Sequence, residues 1–286
     1  MKSNLTTWKF NQRILHSEDY KFNNKVAKIT SKKSFGEICK KYTHISYQDM
    51  EKFIKFDKKI YASLKGSGVD LGGGVGLLSS IIAKKKYVKK IYCVEIVKNA
   101  VELCQPKIKK KVLKKELNKV VSVNGSFDEL NLKNNSIDFC IAWDAMHHSR
   151  NVIKTLIESK RVLKKGGKMI IIDRGHNNET PNKEINRMLN IKYSKSFLKE
   201  NYLPINKILT RKMNGENEYR FFEWEEFFKK SKFKVVKKII FKESKVKDLK
   251  NRQRILEKTV DFKVGSFHKK KNYLFTSKVI LYKKIS

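Results

Sequence analysis

Three glycines in the segment 69–76 have a spacing that suits the binding of a nucleotide-like ligand. The segment passes from short β-branched residues through Gly72, Gly74 and Gly76 into the apolar run 77–83. This order predicts a strand, a tight turn and a helix. Gly72 permits the turn, Gly74 lets backbone N–H groups approach a ligand, and Gly76 lets the helix pack against the sheet. We expect the ligand at the amino terminus of this helix.

A carboxylate stands at the end of the next predicted strand. Residues 90–94 form a mostly apolar run, and Glu95 follows it directly. The acid comes roughly 20 residues after the glycines, the spacing at which dinucleotide and nucleoside folds place a carboxylate on the ribose hydroxyls. Glu95 is therefore the second predicted anchor for the ligand.

Acids and histidines that suit proton transfer follow two later strands. Asp144, His147 and His148 come after one apolar strand, and His176 comes after the next. Catalytic groups of open α/β sheets collect at this carboxyl edge, and an imidazole can act there as a base. The alternative for each residue is structural, as a packed side chain, a helix-cap partner or a loop residue. The histidines show no HxH or HExxH spacing, so no metal site is predicted.

The elements that position these residues follow from hydrophobic periodicity. Apolar runs predict strands at residues 69–71, 90–95, 120–123, 137–142, 168–173, 233–241 and 273–282. Helical spacing predicts helices at 35–39, 50–56, 77–83, 98–103, 107–118, 152–162, 184–200 and 224–228. Pro106 is expected to interrupt a helix, and Gly166 and Gly167 are expected to end one.

This pattern predicts an α/β fold with a Rossmann-like, seven-stranded, mostly parallel sheet and helices on both faces. Residues 1–60 are predicted to form an N-terminal helical cap, and residues 61–286 the main domain. Within that domain, residues 177–220 are predicted to form a lid insertion, since long inserts after a strand usually cover the site. Residues 243–262 are lysine-rich and are expected to be helical or loose.

In combination, the motifs resemble the class I methyltransferases that depend on S-adenosylmethionine, of the small-molecule type. The segment 70–76 fits an acid-x-G-x-G-x-G motif, and Glu95 ends the second strand. The segments 136–139 and 158–168 precede the fourth and fifth strands as they do in this family. The resemblance covers about residues 66–176, and a glycine motif alone would be shared with NAD enzymes.

The resemblance implies S-adenosylmethionine as the cofactor and a role for each matching residue. The backbone at Gly72, Gly73, Gly74 and Gly76 would pass beside the methionine part, Asp70 would help to hold its amino group, and Glu95 would take the ribose hydroxyls. Ser126 and Phe127 stand where the family often has an acid that contacts the adenine amino group. That acid is missing here, so either the Ser126 hydroxyl or the carboxylate of Asp128 would replace it.

Composition limits the remaining alternatives. A formal net charge of +38 allows a functional attraction to an anionic acceptor, RNA or a membrane surface, or a compositional bias towards lysine on a solvated surface. Four scattered cysteines without a CxxC pair indicate reduced, buried thiols. No signal-peptide core and no run of membrane-spanning length occurs, so a cytoplasmic location is predicted.

The acceptor is expected to be a small molecule that is methylated on O, N or C by in-line displacement. The chain lacks the Asn/Asp-Pro-Pro-aromatic signature of nucleic-acid amino-methyltransferases, and it has no Pro-Cys pair. Two alternatives remain: an RNA methyltransferase that uses the basic surface, and a non-catalytic protein that binds S-adenosylmethionine. The oligomeric state is not predicted.

Overall fold

The core of the protein is a single twisted sheet. The computed structural model describes residues 5–43, 46–55, 57–242 and 276–284. Its eight strands in these residues are β1 (Leu5–Thr7), β2 (Gly66–Leu71), β3 (Val88–Glu95), β4 (Val120–Asn124), β5 (Ile137–Trp143), β6 (Leu163–Gly175), β7 (Phe233–Lys242) and β8 (Thr276–Lys284). The strand order is β1-β4-β3-β2-β5-β6-β8-β7. Only β8 pairs antiparallel with its neighbours, so the mostly parallel prediction is confirmed for the described strands.

The predicted number of seven strands is wrong, because the N-terminal residues add an eighth strand. Strand β1 pairs in parallel with β4, with Leu5 opposite Ser122 and Thr7 opposite Asn124. The backbone N–H of Trp8 then donates a hydrogen bond to the carbonyl of Asn124 at 2.9 Å. Residues 1–60 are therefore not purely a helical cap, since their first described residues extend the sheet.

Ten helices surround the sheet in the described residues. They are α1 (Glu18–Thr30), α2 (Phe35–Thr43), α3 (Tyr47–Lys55), α4 (Lys58–Ser63), α5 (Leu77–Ala83), α6 (Gln105–Leu113), α7 (Val152–Val162), α8 (Asn182–Leu189), α9 (Lys195–Glu200) and α10 (Phe221–Lys230). None of these helices is long and apolar enough to cross a lipid bilayer.

Alternate residues of the central strands pack on opposite faces of the sheet. Helices cover both faces, as predicted. On β5, Phe139 and Ile141 join one apolar cluster with residues of α2 to α6, whereas Cys140 and Ala142 join a second cluster with α7 and α10. A strand that is buried on both faces has a continuous apolar sequence, as β5 does. All four cysteines are buried free thiols, as predicted.

Several predicted boundaries differ from the structure. Helix α7 ends at Val162, and Gly166 and Gly167 lie in β6 rather than at a helix end. The predicted helix 184–200 is two helices, α8 and α9. Pro106 lies in the first turn of α6, directly after a π-helical segment at Ala100–Cys104, so the helical path continues past it and only the hydrogen-bond pattern changes there. The predicted segment 243–262, together with residues 273–275 and Phe56, lies outside the described residues.

The close packing of β2 against β5 requires a glycine at position 68. A Cβ atom placed on Gly68 would lie 2.2 Å from the ring of Phe139, which is itself fully buried. The ring fills the space that any side chain on Gly68 would need. This contact therefore sets the distance between β2, which leads into the glycine motif, and β5, which Asp144 follows.

We predict that Gly68→Ala lowers the free energy of unfolding by about 1–3 kcal/mol through overpacking against Phe139. The matched control is Gly36→Ala in α2, where an added Cβ has no neighbour within 4 Å. That change should raise the free energy of unfolding by about 0.5–1 kcal/mol, because alanine is the better helix former. Thermal or urea denaturation of both variants measures the difference, and equal stability of the two would contradict the packing argument.

Candidate active site

The glycine turn after β2 exposes backbone rather than side chains. Gly72, Gly74 and Gly76 adopt positive φ angles of 70°, 52° and 79°, a region that favours glycine. A Cβ on Gly74 would meet no atom within 4 Å and would enter the open space beside the loop, whereas one on Gly72 would lie 2.7 Å from the Cβ of Ala145. The loop therefore offers an open face at Gly74 and packs against the end of β5 at Gly72.

Glu95 lies at the end of β3 and accepts hydrogen bonds from the loop. Its Oε2 accepts from the backbone N–H of Gly74 at 3.0 Å, and its Oε1 accepts from the N–H of Val97 at 2.8 Å. Burial raises the pKa of Glu95, and these backbone hydrogen bonds oppose that shift. The structure thus brings together the glycine loop and the acid that the sequence spacing predicted.

Asp70 supports the loop from inside the protein. It is 1% exposed, and its Oδ2 accepts a hydrogen bond from the hydroxyl of Ser79 at 2.7 Å. A Cβ on Gly73 would lie 3.2 Å from the same oxygen. Burial raises the pKa of Asp70 to about 7, and the neighbouring Glu95 adds to this increase. An ionisable carboxyl group therefore lies directly beneath the loop and titrates near neutral pH.

Gln105 is a loop contact that sequence reasoning missed. This residue is fully buried at the start of α6, and its Nε2 donates to the carbonyl of Gly74 at 2.9 Å. Its buried Oε1 has no hydrogen-bond partner among the described residues. No motif marks Gln105 in the sequence, because only the packing of α6 beside the loop reveals its role. Gly74 is thus held on both sides, by Glu95 through its N–H and by Gln105 through its carbonyl.

The loop after β4 carries the predicted adenine residues. Ser126 is buried, and its Oγ accepts from the backbone N–H of Asp128 at 3.1 Å. Phe127 is partly buried, and its ring lies 3.5 Å from the Cβ position of Gly72. The carboxylate of Asp128 is hydrogen-bonded by the hydroxyl of Thr155 on α7. Asp128 therefore has a partner away from the loop, and Phe127 is the predicted adenine residue closest to the glycines.

Asp144 follows β5 in a backbone conformation that is unusual for an acid. Its φ angle is 47°, and its backbone N–H donates to the carbonyl of Ile172 on β6 at 2.7 Å. The side chain is 26% exposed, and its Oδ1 lies 3.7 Å from Nδ1 of His147. That oxygen has no hydrogen-bond partner among the described residues. Non-glycine residues held at positive φ are found preferentially at functional sites.

His147 is enclosed by charged groups. It is 1% exposed, and its Nδ1 lies 2.7 Å from Oδ1 of Asp173. Its Nε2 is hydrogen-bonded by the guanidinium of Arg174 and lies 3.6 Å from Oε2 of Glu216. Burial and Arg174 lower the pKa of His147, but the carboxylates of Asp173 and Asp144 outweigh them and raise it above its ordinary value. Both ring nitrogens of His147 are therefore engaged in hydrogen bonds within the protein.

Two acids and two arginines that sequence reasoning missed extend this cluster towards the segment 211–218. The guanidinium of Arg174 is bound by Glu216, and that of Arg211 by Glu218. His176 is also buried, with Nε2 at 2.7 Å from Oε2 of Glu218. Burial would raise the pKa of Glu216, yet Arg174 and the two neighbouring histidines hold it well below its usual range. His176 therefore joins the same ionic network and is not a loop-surface residue.

His148 differs from its neighbour because it is exposed. Its Nδ1 donates a hydrogen bond to the carbonyl of Gly215 at 3.0 Å, which leaves Nε2 as the acceptor nitrogen. Its ring centre lies 4.1 Å from that of His147. Desolvation by nearby protein atoms, and then His147, lower the pKa of His148. A neutral imidazole is therefore favoured at position 148.

Two sets of side chains in this cluster have donor atoms close enough to share a cation. These are His147, His148 and Glu216, and Asp144, His147 and Asp173, each with donor atoms within 4.8 Å of one another. Both sets need a nitrogen of His147 that is hydrogen-bonded to Asp173 or Arg174. The absence of a metal remains a prediction.

A parallel sheet with a glycine loop held against an acid at the end of the next strand defines a protein that binds a nucleoside-containing cofactor. Residues 69–171 match the family model of a methyltransferase domain. Residues 69–171 therefore form a methyltransferase domain, and this match together with the shared fold supports S-adenosylmethionine as the cofactor. Gly74, Glu95 and Gln105 fit this cofactor, since they present an open backbone cradle, a carboxylate and an unpartnered buried amide oxygen.

Solved structures share the fold at low sequence identity. An S-adenosylmethionine-dependent methyltransferase of Leishmania major matches with a TM-score of 0.58 and 13% identity, over 96% of this chain and 87% of that one. A Bacillus halodurans protein provisionally named a methyltransferase gives 0.53 and 16%, over 84% and 100%. A Galdieria sulphuraria protein provisionally named a sarcosine dimethylglycine methyltransferase gives 0.53 and 18%, over 82% and 84%. No curated protein matches the chain in sequence.

We predict that Glu95→Ala retains the fold but raises the Kd for S-adenosylhomocysteine at least about tenfold, since a charged hydrogen-bond acceptor is lost. Calorimetry gives the Kd, and circular dichroism checks the fold. Glu102→Ala is the matched control, because Glu102 is an exposed acid whose nearest cation is Lys98 at 3.8 Å. Normal binding by the Glu95 variant would show that this acid does not contact the cofactor.

We predict that the affinity for S-adenosylmethionine increases as the pH rises towards 7. A cationic ligand favours the ionised form of Asp70, whose pKa is about 7, so binding at lower pH must release a proton. Below neutral pH, the affinity should rise by up to about tenfold per pH unit, and above neutral pH it should become constant. Calorimetry between pH 5.5 and 8 measures this slope. Asp70→Asn should remove it, and an unchanged slope in that variant would assign the proton to another group.

Proposed function

We propose that the chain transfers the methyl group of S-adenosylmethionine to a small-molecule acceptor at the carboxyl edge of the sheet. The acceptor would lie beside Asp144 and His148, beneath the segment 177–220 acting as a lid. Ala145 connects these residues to the cofactor loop, since its Cβ packs against Gly72. Asp144 directly precedes Ala145 in the chain, and this neighbourhood supports a position of Asp144 next to the reacting methyl group.

The observation that carries the proposal is the buried ionic network between β6 and residues 211–218. Glu216 binds Arg174 at the end of β6, and Glu218 binds His176. The side-chain amide of Asn217 also donates to the carbonyl of His147 at 2.7 Å. Removing one buried partner from such a network lowers the free energy of unfolding by about 3–5 kcal/mol. The segment is therefore held firmly over the strand ends, and an enclosed site of this kind suits a small acceptor.

Helix α1 supports the same cover from the N-terminal side. Lys207 lies 2.6 Å from the carboxylate of Glu18, and the rings of Phe22 and Phe197 are 6.4 Å apart. On its other side, Asn24 accepts from the backbone N–H of Asn99 at 2.8 Å, close behind Glu95 in the chain. Helix α1 thus spans the distance between the proposed lid and the cofactor loop, which supports a common roof over both.

The chemistry asked of the protein is mainly alignment. When bound, S-adenosylmethionine supplies a methyl group on a sulfonium leaving group. The chain must hold the acceptor in line, exclude water and, for an acceptor that carries a proton, remove that proton. His148 is the proposed base, since its ring is exposed and its lowered pKa favours the neutral form. Asp144 would orient the acceptor, while His147 and His176 act as positioning residues within the network.

RNA as the acceptor receives less support from the geometry. A nucleotide must leave its strand and enter the site before its base can be methylated. Here Arg174 is paired with Glu216, and His147 with Asp173. These cations are therefore already engaged within the protein and are poorly placed to bind a phosphate backbone.

The proposal is tested by incubating the protein with labelled S-adenosylmethionine and separated pools of metabolites and RNA. We expect label in a metabolite fraction. Asp144→Asn should then lower kcat/KM at least about tenfold, with less than threefold change in the Kd for S-adenosylhomocysteine, because an acceptor contact is lost. His148→Gln should lower kcat and remove the acidic limb of its pH profile.

Glu129→Gln serves as the control for these variants. Glu129 is an exposed acid that pairs with Lys154 at 3.5 Å, and its loss should leave turnover unchanged. Label found in RNA instead of metabolites would contradict the proposed acceptor class. Normal turnover by both Asp144→Asn and His148→Gln would contradict the proposed site.

A further inference from the structure

Exposed lysines without acidic partners line one edge of the sheet. Every strand except β8 runs in the same direction, so the first residues of these strands share an edge, which we call the amino edge. Six exposed lysines lie in or just before those first residues: Lys86, Lys89, Lys114, Lys115, Lys165 and Lys232. Within the described ranges, none of the six is paired with a carboxylate.

The amino edge is long and its acids are neutralised. From β4 to β7 the sheet order contains six steps, which at about 4.8 Å per step gives a row of about 29 Å. Glu116 at this edge pairs with Lys119 at 2.8 Å, and Asp138 pairs with Lys164 at 2.8 Å. The six lysines therefore form a band of positive charge, at the starts of β4, β3, β6 and β7, that suits a linear polyanion.

The charged groups of the opposite edge are largely paired with one another. Glu216 and Glu218 bind Arg174 and Arg211, and Asp173 binds His147. The unpaired lysines at the amino edge therefore attract a polyanion to that edge rather than to the active site. A strand of six residues such as β2 separates the two edges by about 20 Å.

Aromatic and apolar surfaces accompany the lysines. The side chain of Tyr87 is 71% exposed, and Nζ of Lys86 lies 5.8 Å from its ring centre. At the far end of the band, a groove of about 470 Å³ is lined by Lys232, Phe233 and Val235, among others. An exposed ring beside cations suits an unpaired base stacked next to bound phosphates.

We propose that the amino edge binds single-stranded RNA through its phosphates and stacked bases, as a docking ligand rather than as the acceptor. Lysine ammonium groups contact phosphates as point charges and read no base edges, so the binding has no sequence preference. The RNA holds the enzyme in place while the site at the other edge stays accessible to a small molecule.

The test compares two full-length variants that each lose six positive charges. The edge variant changes Lys86, Lys89, Lys114, Lys115, Lys165 and Lys232 to Gln. The control variant changes six exposed lysines of α1 and residues 177–220 to Gln: Lys25, Lys28, Lys183, Lys195, Lys199 and Lys212. Fluorescence anisotropy with a labelled oligouridylate gives the Kd over a salt series, and calorimetry with S-adenosylhomocysteine confirms that both variants are folded.

We expect the edge variant to bind the oligouridylate at least about tenfold more weakly, with a smaller salt slope, since each lost phosphate contact removes about 0.7 from that slope. The control variant should change less than threefold. Equal losses in both variants would show that net charge alone attracts RNA, and the docking edge would be refuted. The edge variant should keep the turnover of the wild type, so failure of this proposal leaves the methyl-transfer proposal standing.

A second variant separates RNA from other anionic partners. Tyr87→Ala should weaken oligouridylate binding about fivefold or more, because base stacking is lost, and should leave heparin binding unchanged. An equal effect on both ligands, or no effect on either, would overturn the assignment to RNA. Tighter binding of the wild type to phosphatidylserine vesicles than to the oligouridylate would identify a membrane as the partner instead.

Discussion

The hydrogen bonds of Glu95 with the backbone of Gly74 and Val97 are the constraint on which the cofactor site depends. A loop with three positive-φ glycines has a large conformational entropy when it is unconstrained. The buried carboxylate reduces that freedom by joining the loop to the end of the neighbouring parallel strand, and Gln105 holds the other side of Gly74. The cradle is therefore formed by the protein itself, before any ligand contributes to it.

At the same edge, a different physical problem is solved by pairing buried charges. Asp173, Arg174 and Glu218 are almost fully buried, and ions in that environment are tolerated only with close partners. Each finds its partner across a long sequence separation, as between Arg174 and Glu216. The network therefore holds residues 211–218 in position, because any displacement of this segment would leave uncompensated charges in the interior.

The sequence was informative wherever the pattern was local. The glycine turn, the acid after β3 and the continuous apolar run of β5 follow from neighbouring residues, and the structure has them where the pattern predicts. Strand β1 was missed because three residues, two of them threonines, carry no periodicity, and only pairing with β4 makes them a strand. The roles of His147 and His176 were equally inaccessible, since Arg174 and Glu218 become their partners only after folding.

The boundaries that differ have a common cause. Gly166 and Gly167 are compatible with a helix end, but helix α7 stops at Val162 and the chain pairs at once with β5. Tertiary hydrogen bonding thus overrides the local signal, as it does after Asn190, where residues 191–193 pair with residues 209–211 and the predicted helix divides into α8 and α9. Residues that carry the site were predicted by type and position, whereas their partners required the fold.

The left-handed backbone at Asp144 has a consequence for how sequence and stability are related at this site. An acid with φ of 47° is less stable there than glycine would be, by about 1 kcal/mol. Asp144→Gly would therefore stabilise the fold. The same substitution would remove the carboxylate beside the cofactor loop. A chain optimised only for thermal stability would therefore lose this carboxylate.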